Sequence, residues 1–247
     1  MAQIQKLQGI VIKKIDYKEN ANLITLLTKE GKLSLIVRGS KKINSVTRNY
    51  TNLFTKMDFN STNNLRLNTL TEADILKSYV NINNDFDKMN IGLIILEKIN
   101  KLTDEISNQE LLYDFVSLIL ERLEETKYPN TLLSLFEVKL LYLLGVSPEF
   151  KECTICSKKS DNYNVFSAHN GGIICNNHQI NNYDLSGNET KALELLFFIK
   201  PDKVDEEFLS LVNEYNDSIS KTIDKFYEIH LEFYSKAKKI IKELQNK

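Results

Sequence analysis

Three cysteines and one histidine between residues 153 and 178 have the types and the spacing that a bound metal ion requires. Two residues separate Cys153 from Cys156, and the same spacer separates Cys175 from His178. Such a spacer lets one tight turn direct both side chains at a single ion, and thiolates with imidazole form a ligand set typical of Zn²⁺. The pattern predicts a tetrahedral zinc site. Four protein ligands leave no open position for water, so its role should be structural.

Two alternatives to this ligand set remain open. Three cysteines in a chain of this length could be small buried hydrophobic side chains. Random placement rarely gives a Cys-x-x-Cys and a Cys-x-x-His together, so zinc is the favoured interpretation. His169 lies in the same loop and is the competing fourth ligand. His178 is preferred because it repeats the two-residue spacer.

The charge of the chain is unevenly distributed. Residues 1–79 contain thirteen Lys and Arg against six Asp and Glu, a net charge of +7, whereas the rest carries nineteen against twenty-seven, a net charge of −8. A basic module joined to an acidic one suggests an anionic partner for the first. Basic residues at strand ends and in loops are the candidates for contact with nucleic acid: Lys13, Lys14, Arg38, Lys41, Lys42 and Arg48.

Other readings of these residues are less specific. Lysine is the commonest choice for a solvated surface, so the basic group could simply be exposed to water. Tyr17, Tyr50 and Phe54 are candidates for stacking on bases, although core packing is favoured for Phe54. His230 falls on the apolar face of a predicted helix, which favours a packed, hydrogen-bonded histidine. Acidic clusters at 124–125 and 205–207 are interpreted as solvated faces.

The elements that must position these side chains are predicted from periodicity. Five short strands, over residues 3–14, 23–27, 33–37, 54–59 and 65–73, are enough for a small closed barrel of the OB type. Helical periodicity begins near Asp85 and predicts helices over 89–102, 108–125, 131–144 and 189–199, a short one after Asp202, and a long one over 217–244. The expected fold class is α+β multidomain: a barrel over 1–80, a helical domain over 81–149 and 185–247, and a zinc-finger insertion over 150–184.

Several function classes lack their sequence features. No apolar run approaches the length of a membrane span, and the N-terminus has no signal-peptide pattern. The chain contains no Walker loop, no Gly-x-Ser-x-Gly and no His-Glu-x-x-His, so nucleotide hydrolysis and zinc proteolysis are not expected. Three thiols arranged for metal fit a reducing cytoplasm.

In the order of its motifs the chain resembles the RecO family of bacterial DNA-repair mediators. Three segments carry this resemblance: the opening strands with Gly9-Ile-Val-Ile-Lys-Lys14 and Leu23-Ile-Thr-Leu-Leu27, the basic loop Val37-Arg-Gly-Ser-Lys-Lys42, and the junction from Leu141 to Cys156 with Phe166-Ser-Ala-His-Asn-Gly-Gly172 and Cys175. They span most of residues 1–185, whereas the last sixty residues are generic helix. Many relatives have a cysteine where this chain has His178, and its basic face is led by lysine and not by arginine.

The resemblance implies an N-terminal OB domain, a helical domain and an inserted zinc finger. It also implies binding of single- and double-stranded DNA, annealing of complementary strands, and help in loading a recombinase onto strands coated by single-stranded-DNA-binding protein. The implied partners are that coating protein and RecR, with no enzymatic activity, no membrane, and a cytoplasmic, nucleoid-associated location. An acidic, apolar-tipped tail of the coating protein would need nearby lysines, for which Lys139, Lys191 and Lys200 are candidates.

Two other classes of protein stay open on the sequence alone. One is a metal-dependent enzyme acting on the phosphodiester of a nucleic acid, whose cleavage would require an added divalent ion. The other is a protein-only adaptor with a structural zinc, which would not be retained on single-stranded DNA.

Overall fold

The computed structural model describes residues 4–42, 44–62, 67–159, 163–178 and 181–245. The chain divides into two compact units, Met1–Glu125 and Thr126–Lys247. No described helix is long and apolar enough to span a membrane.

A closed five-stranded barrel forms the start of the first unit. Its strands follow each other round the barrel in the order β1-β2-β3-β5-β4, with β1 and β4 closing it. Neighbours are antiparallel except β3 and β5, which pair in parallel at Leu35–Asn68 and Ile36–Thr69. The strands are β1 (Ile4–Tyr17), β2 (Ala21–Thr28), β3 (Gly31–Arg38), β4 (Lys56–Thr62) and β5 (Asn68–Lys77). The predicted OB-type barrel is confirmed.

The inward faces of the strands supply the barrel core. Its buried members alternate along their strands, as period-two patterning requires. They are Val11, Ile24, Leu26, Leu35, Val37, Met57 and Phe59. The predicted start of the fourth strand at Phe54 was wrong. Phe54 precedes β4 in a left-handed conformation (φ 64°) that lets its ring lie fully buried against Gly92.

A bulge in β1 changes which residues of that strand face outward. Val11 pairs with Leu26, but the next pair is Lys13 with Thr25, so Ile12 has no partner in the register. An extra residue moves every following side chain to the opposite face. Leu7 and Val11 therefore face the core, whereas the odd-numbered residues from Lys13 to Tyr17 face outward.

Three helices complete the first unit: α1 (Val80–Asn84), α2 (Phe86–Leu102) and α3 (Gln109–Glu125). Two of them hydrogen-bond to the barrel. The Asn100 amide donates to the Ile12 carbonyl (2.9 Å), and the Tyr113 hydroxyl donates to the Gln8 side chain (2.9 Å). These helices belong to the same compact unit as the barrel. The domain boundary expected near residue 80 stays a prediction.

The second unit is built on α4, which is buried along most of its length. The helix predicted over 131–144 begins two residues earlier, at Pro129, because the missing N–H of proline is tolerated in a first turn. Three of the later helices of the unit pack against α4, and the last is linked to it by an ion pair between Lys238 and Glu137. The five are α4 (Pro129–Leu143), α5 (Gly187–Phe198), α6 (Glu206–Asn213), α7 (Asn216–Leu231) and α8 (Lys236–Gln245).

The long terminal helix predicted over 217–244 is instead two helices, α7 and α8. Glu232 takes a left-handed conformation (φ 50°) and ends α7, so that Phe233 turns inward beside Tyr227, with ring centroids 6.1 Å apart. Apolar periodicity continues across this break, which explains why the sequence pattern did not reveal it. Ser186 and Glu189 form a capping box at the start of α5, in which the Ser186 N–H donates to the Glu189 carboxylate (3.2 Å).

Two strands within the predicted zinc-finger loop and a third directly after it form a small sheet that periodicity did not predict. Its strands are β6 (Tyr163–Ser167), β7 (Gly172–Cys175) and β8 (Leu185–Ser186), in the order β7-β6-β8. The sheet packs on its unit through Phe166, whose ring stacks on Phe150 at 5.5 Å. His230 on α7 donates a 2.8 Å hydrogen bond from its Nε2 to the Ala168 carbonyl, and its ring lies 4.2 Å from that of Phe226. This is the packed histidine that the sequence favoured.

Candidate metal centre and nucleic-acid interface

Two similar turns bring the four predicted metal ligands together. The Ser157 N–H donates to the Cys153 carbonyl (2.8 Å), and the His178 N–H donates to the Cys175 carbonyl (3.1 Å). Each turn places its two ligand side chains on the same side, as the two-residue spacers predicted. Thr154 donates its N–H to the Ile173 carbonyl (3.0 Å), which ties the first turn to β7 beside the second.

The ligand atoms of this Cys₃His cluster have the separations expected around one ion. All four lie within 4.8 Å of one another, and the sulfurs of Cys156 and Cys175 are 3.9 Å apart. Zinc bonds to sulfur are about 2.3 Å long, which puts two tetrahedral sulfur ligands about 3.8 Å apart. Among the described residues, no other group of three or more His, Cys, Asp or Glu side chains converges in this way.

The Nε2 atom of His178 is a second sign that the cluster fits a metal. It is buried and has no hydrogen-bond partner among the described residues. A buried polar atom without a partner costs free energy, and a bound cation would satisfy it. His169 is exposed in the turn after β6 and is not a member of the cluster. The geometry therefore favours His178 over His169.

The electrostatics of the sulfurs also suit a cation. Burial raises the pKa of Cys153, but N–H groups of Cys175, Cys156 and Ile155 lower it by more, to about 7. The pKa of Cys175 is raised: the Asn177 N–H lowers it, but burial and the sulfurs of Cys153 and Cys156 outweigh that effect. Neighbouring thiolates repel each other, so all three sulfurs become negative together only when a positive ion lies between them.

The predicted nucleic-acid residues lie on the barrel and on the segment that follows β3. Lys13 and Lys14 are exposed on β1, and Arg38 ends β3. Arg48 is exposed in a short 3₁₀ helix, Val46–Thr51, which is held beside β3 by a bond from the Thr47 hydroxyl to the Arg38 carbonyl (3.2 Å). Lys13 and Arg38 lie on the outward face of their strands, whereas Lys14 lies on the opposite face of β1, so the basic surface formed by these residues is not confined to one face of the sheet.

Lys41 differs from the other candidates because it has partners within the chain. Its Nζ donates to the Lys18 carbonyl (3.1 Å) and lies 3.4 Å from an Asp16 carboxylate oxygen. Lys42 is exposed in the same turn. Lys41 therefore fastens the segment after β3 to the β1–β2 turn, in addition to any contact with phosphate.

Sequence reasoning missed Lys18 as a member of this surface. It is exposed in the β1–β2 turn with a left-handed backbone (φ 52°), and its Nζ lies 5.5 Å from the centre of the Tyr17 ring. The sequence pattern does not distinguish a turn lysine that contacts DNA from one that is only exposed to water. Among the stacking candidates, Tyr17 is half-buried, Tyr50 packs against the barrel core, and Phe54 is fully buried.

The acidic clusters have structural partners. Glu124 accepts the N–H groups of Asn81 (2.9 Å) and Ile82 (3.0 Å), and thereby caps α1. Asp205 accepts the Phe208 N–H (2.8 Å) and caps α6. Glu206 accepts the Lys127 N–H (3.1 Å). Carboxylates at helix starts are a common stabilising arrangement.

Comparisons with known proteins agree with this architecture. The family model described as Recombination protein O N terminal matches residues 1–79, and that described as Recombination protein O C terminal matches residues 83–239. A protein of Listeria monocytogenes serotype 4a named DNA repair protein RecO is 29% identical over 247 residues, covering 98% of this chain and 95% of its own length. Proteins of the same name from Halalkalibacterium halodurans (26% identical, 98% and 95% covered) and Exiguobacterium sibiricum (29% identical, 98% and 98% covered) are also similar.

Fold and site together define a class: a protein with an OB-type barrel followed by a helical region that carries a Cys₃His cluster. The family matches cover nearly the whole chain. The chain belongs to the recombination protein O (RecO) family of DNA repair proteins, which supports a role in DNA repair and recombination.

Proposed function

We propose that this protein binds single- and double-stranded DNA through its barrel, anneals complementary strands, and helps to load a recombinase onto strands coated by single-stranded-DNA-binding protein. The observation that carries the proposal is the group of exposed lysine and arginine side chains on the barrel and on the segment after β3. The first 79 residues, which include this group, have a net charge of +7. Membership of a DNA repair family supports it independently.

Lysine and arginine at such a surface act on the phosphate backbone. Each phosphate that they neutralise releases condensed counterions, which favours binding to any sequence. Two complementary strands repel each other through the same phosphates. A surface that lowers this repulsion and leaves the base edges free would promote annealing without choosing a sequence.

We propose Zn²⁺ as the ion of the Cys₃His cluster, held by Cys153, Cys156, Cys175 and His178. When bound, it would cross-link the two turns and neutralise the sulfurs. The residues around it carry the attachment to the rest of the unit. The Ala168 carbonyl accepts a hydrogen bond from His230, and Asp184 accepts from the Ala168 N–H (2.7 Å) and from the Lys225 ammonium (2.6 Å).

For the acidic tail of the coating protein we propose the surface around α5. Leu195 and Phe198 are about half exposed there, and Lys191 in the second turn of the helix and Lys200 just after its last residue are also exposed. Lys139 is a weaker candidate, because burial lowers its pKa to about 8 and its Nζ already donates to the Phe197 carbonyl. RecR is proposed as a second protein partner on the strength of the family alone, acting with this protein at the nucleoid in the cytoplasm.

A strand-annealing assay with naked and coated complementary oligonucleotides tests the proposal. The full-length protein should accelerate annealing of both, and the Lys191→Glu, Lys200→Glu variant should lose activity on coated strands only. A protein that neither binds nor anneals naked strands would contradict the proposed function. Strand cleavage that depends on added divalent metal would favour an enzyme instead.

A further inference from the structure

Three aliphatic side chains form a row across the outer face of the barrel. Ile15 on β1 pairs with Leu23 on β2, which pairs with Ile36 on β3. Ile15 is 46% exposed, and the other two are half-buried. Neighbouring strands lie about 4.8 Å apart, so the row spans about 10 Å. A single exposed isoleucine is ordinary on a protein surface, but three in register form a continuous apolar strip.

The rows on either side of this strip carry positive charge. One contains Lys13, in register with a threonine and a serine. The other contains Tyr17 and Arg38, in register through Ala21. No residue of the three rows, all within the described chain, is acidic. Asp16, the acidic residue of this part of β1, lies on the opposite face of the strand and is close to Lys41.

We infer that the Ile15–Leu23–Ile36 row packs against the bases of single-stranded DNA while the flanking cations contact its phosphates. This inference rests on the proposed function and adds the means by which unpaired bases are held. Single-strand binders combine a positive groove with flat apolar surfaces for the bases, commonly aromatic. Here the strip is aliphatic, with Tyr17 at one side, and it offers apolar contact without any base-specific hydrogen bond.

Charge distinguishes this occupant from a protein partner. An apolar strip that binds another protein does not require cations along its two sides. A nucleic acid presents apolar base faces together with phosphates, which match a strip flanked by cations. A duplex stacks its bases inside and exposes mainly phosphates and groove edges, so the strip should contribute to single strands and not to duplexes.

Substitution of Ile15 tests the inference on the full-length protein with an oligothymidine strand and a duplex of equal length. Ile15→Ser should weaken single-strand binding about three- to tenfold and leave duplex affinity within about twofold. The slope of log affinity against log salt should not change, because no phosphate contact is lost. Ile15→Phe should restore or increase single-strand affinity. Leu111→Gln, at an exposed apolar position on α3, is the matched control and should bind like the parent.

A strand of abasic nucleotides tests the same contact from the side of the DNA, because it keeps the phosphates and lacks the bases. The parent should bind it more weakly than oligothymidine, and Ile15→Ser should add little further loss, since the two changes remove the same contact. Equal binding of parent and Ile15→Ser to oligothymidine, or equal loss on single strand and duplex, would overturn the inference while leaving the proposed function intact. A parent that binds no DNA would instead overturn the proposed function.

Discussion

Among single residues, the metal centre makes the sharpest prediction. Cys175→Ser should abolish stoichiometric zinc, because it removes one of three sulfurs that lie within 4.8 Å of the other ligand atoms. His178→Ala should weaken zinc binding, whereas His169→Ala should leave the metal in place. Elemental analysis of the purified variants gives the readout. Purified parent protein without zinc, or full zinc in Cys175→Ser, would contradict the assignment.

Removal of zinc should also destabilise the second unit. Structural zinc in small peptides contributes on the order of 10–16 kcal/mol to folding. Only part of that should appear here, because the helices of this unit have a core of their own. Chelation should therefore lower the unfolding midpoint in urea without unfolding the chain completely, and added Zn²⁺ should restore the midpoint.

A buried ion pair gives a second residue-scale prediction. Glu137 is fully buried and lies 2.7 Å from Lys238, which also lies 2.5 Å from Asp224. Lys238→Met would remove the ammonium that neutralises the buried Glu137 carboxylate, and should lower the free energy of unfolding by about 3–5 kcal/mol. The double variant Lys238→Met, Glu137→Gln should recover much of this loss in urea unfolding. If Lys238→Met has the same free energy of unfolding as the parent, the ion pair does not hold α8 in place.

The same pair fixes the sign of a pH dependence. Burial lowers the pKa of Lys238, but Glu137 and Asp224 raise it by more, above its ordinary value of 10.5. A raised lysine pKa gives stability that is complete below the unfolded value and is lost as pH rises through the folded value. The stability difference between the parent and Lys238→Met should therefore be constant near neutral pH and shrink above about pH 10.5.

At the scale of elements, Gly172 at the start of β7 has the least room for a side chain among the eight glycines. A Cβ atom there would lie 2.3 Å from the Glu149 carbonyl oxygen, and backbone cannot yield as a side chain can. Gly172→Ala should cost at least about 2 kcal/mol and displace β7, which ends in Cys175. Urea unfolding and zinc content should both reveal the loss. Asn176→Ala, at an exposed neighbouring position, should behave like the parent.

The same scale shows what the sequence could predict. The metal cluster was predicted because its spacers are local, and the barrel strands were predicted because alternation is local as well. The bulge at Ile12 depends on pairing between strands, so Ile15 could not be placed on the outer face from its own neighbours. The inward turn at Glu232 likewise depends on Phe233 meeting Tyr227, while the apolar period runs on without interruption.

For the whole molecule, the two compact units predict a separation of tasks. A fragment covering residues 1–125 should fold and bind DNA, whereas one ending at residue 80 should be unstable, because Asn100 and Tyr113 hydrogen-bond to the barrel. The 1–125 fragment should fail to anneal strands coated by single-stranded-DNA-binding protein. Circular dichroism and the annealing assay provide the two readouts. Efficient annealing of coated strands by this fragment would show that the helical unit is not needed for that step.

The measurement that tests the central claim most directly is the salt dependence of single-strand binding. Replacement of Arg38, Lys41 and Lys42 together by alanine should weaken binding to any sequence and reduce the slope of log affinity against log salt by about 2, since each phosphate contact on a single strand contributes about 0.7. Replacement of the exposed Lys127, Lys221 and Lys239 is the charge-matched control and should leave the slope unchanged. If the triple alanine variant of Arg38, Lys41 and Lys42 shows the same affinity and the same dependence of log affinity on log salt as the parent and the control, the basic surface of the barrel does not bind DNA.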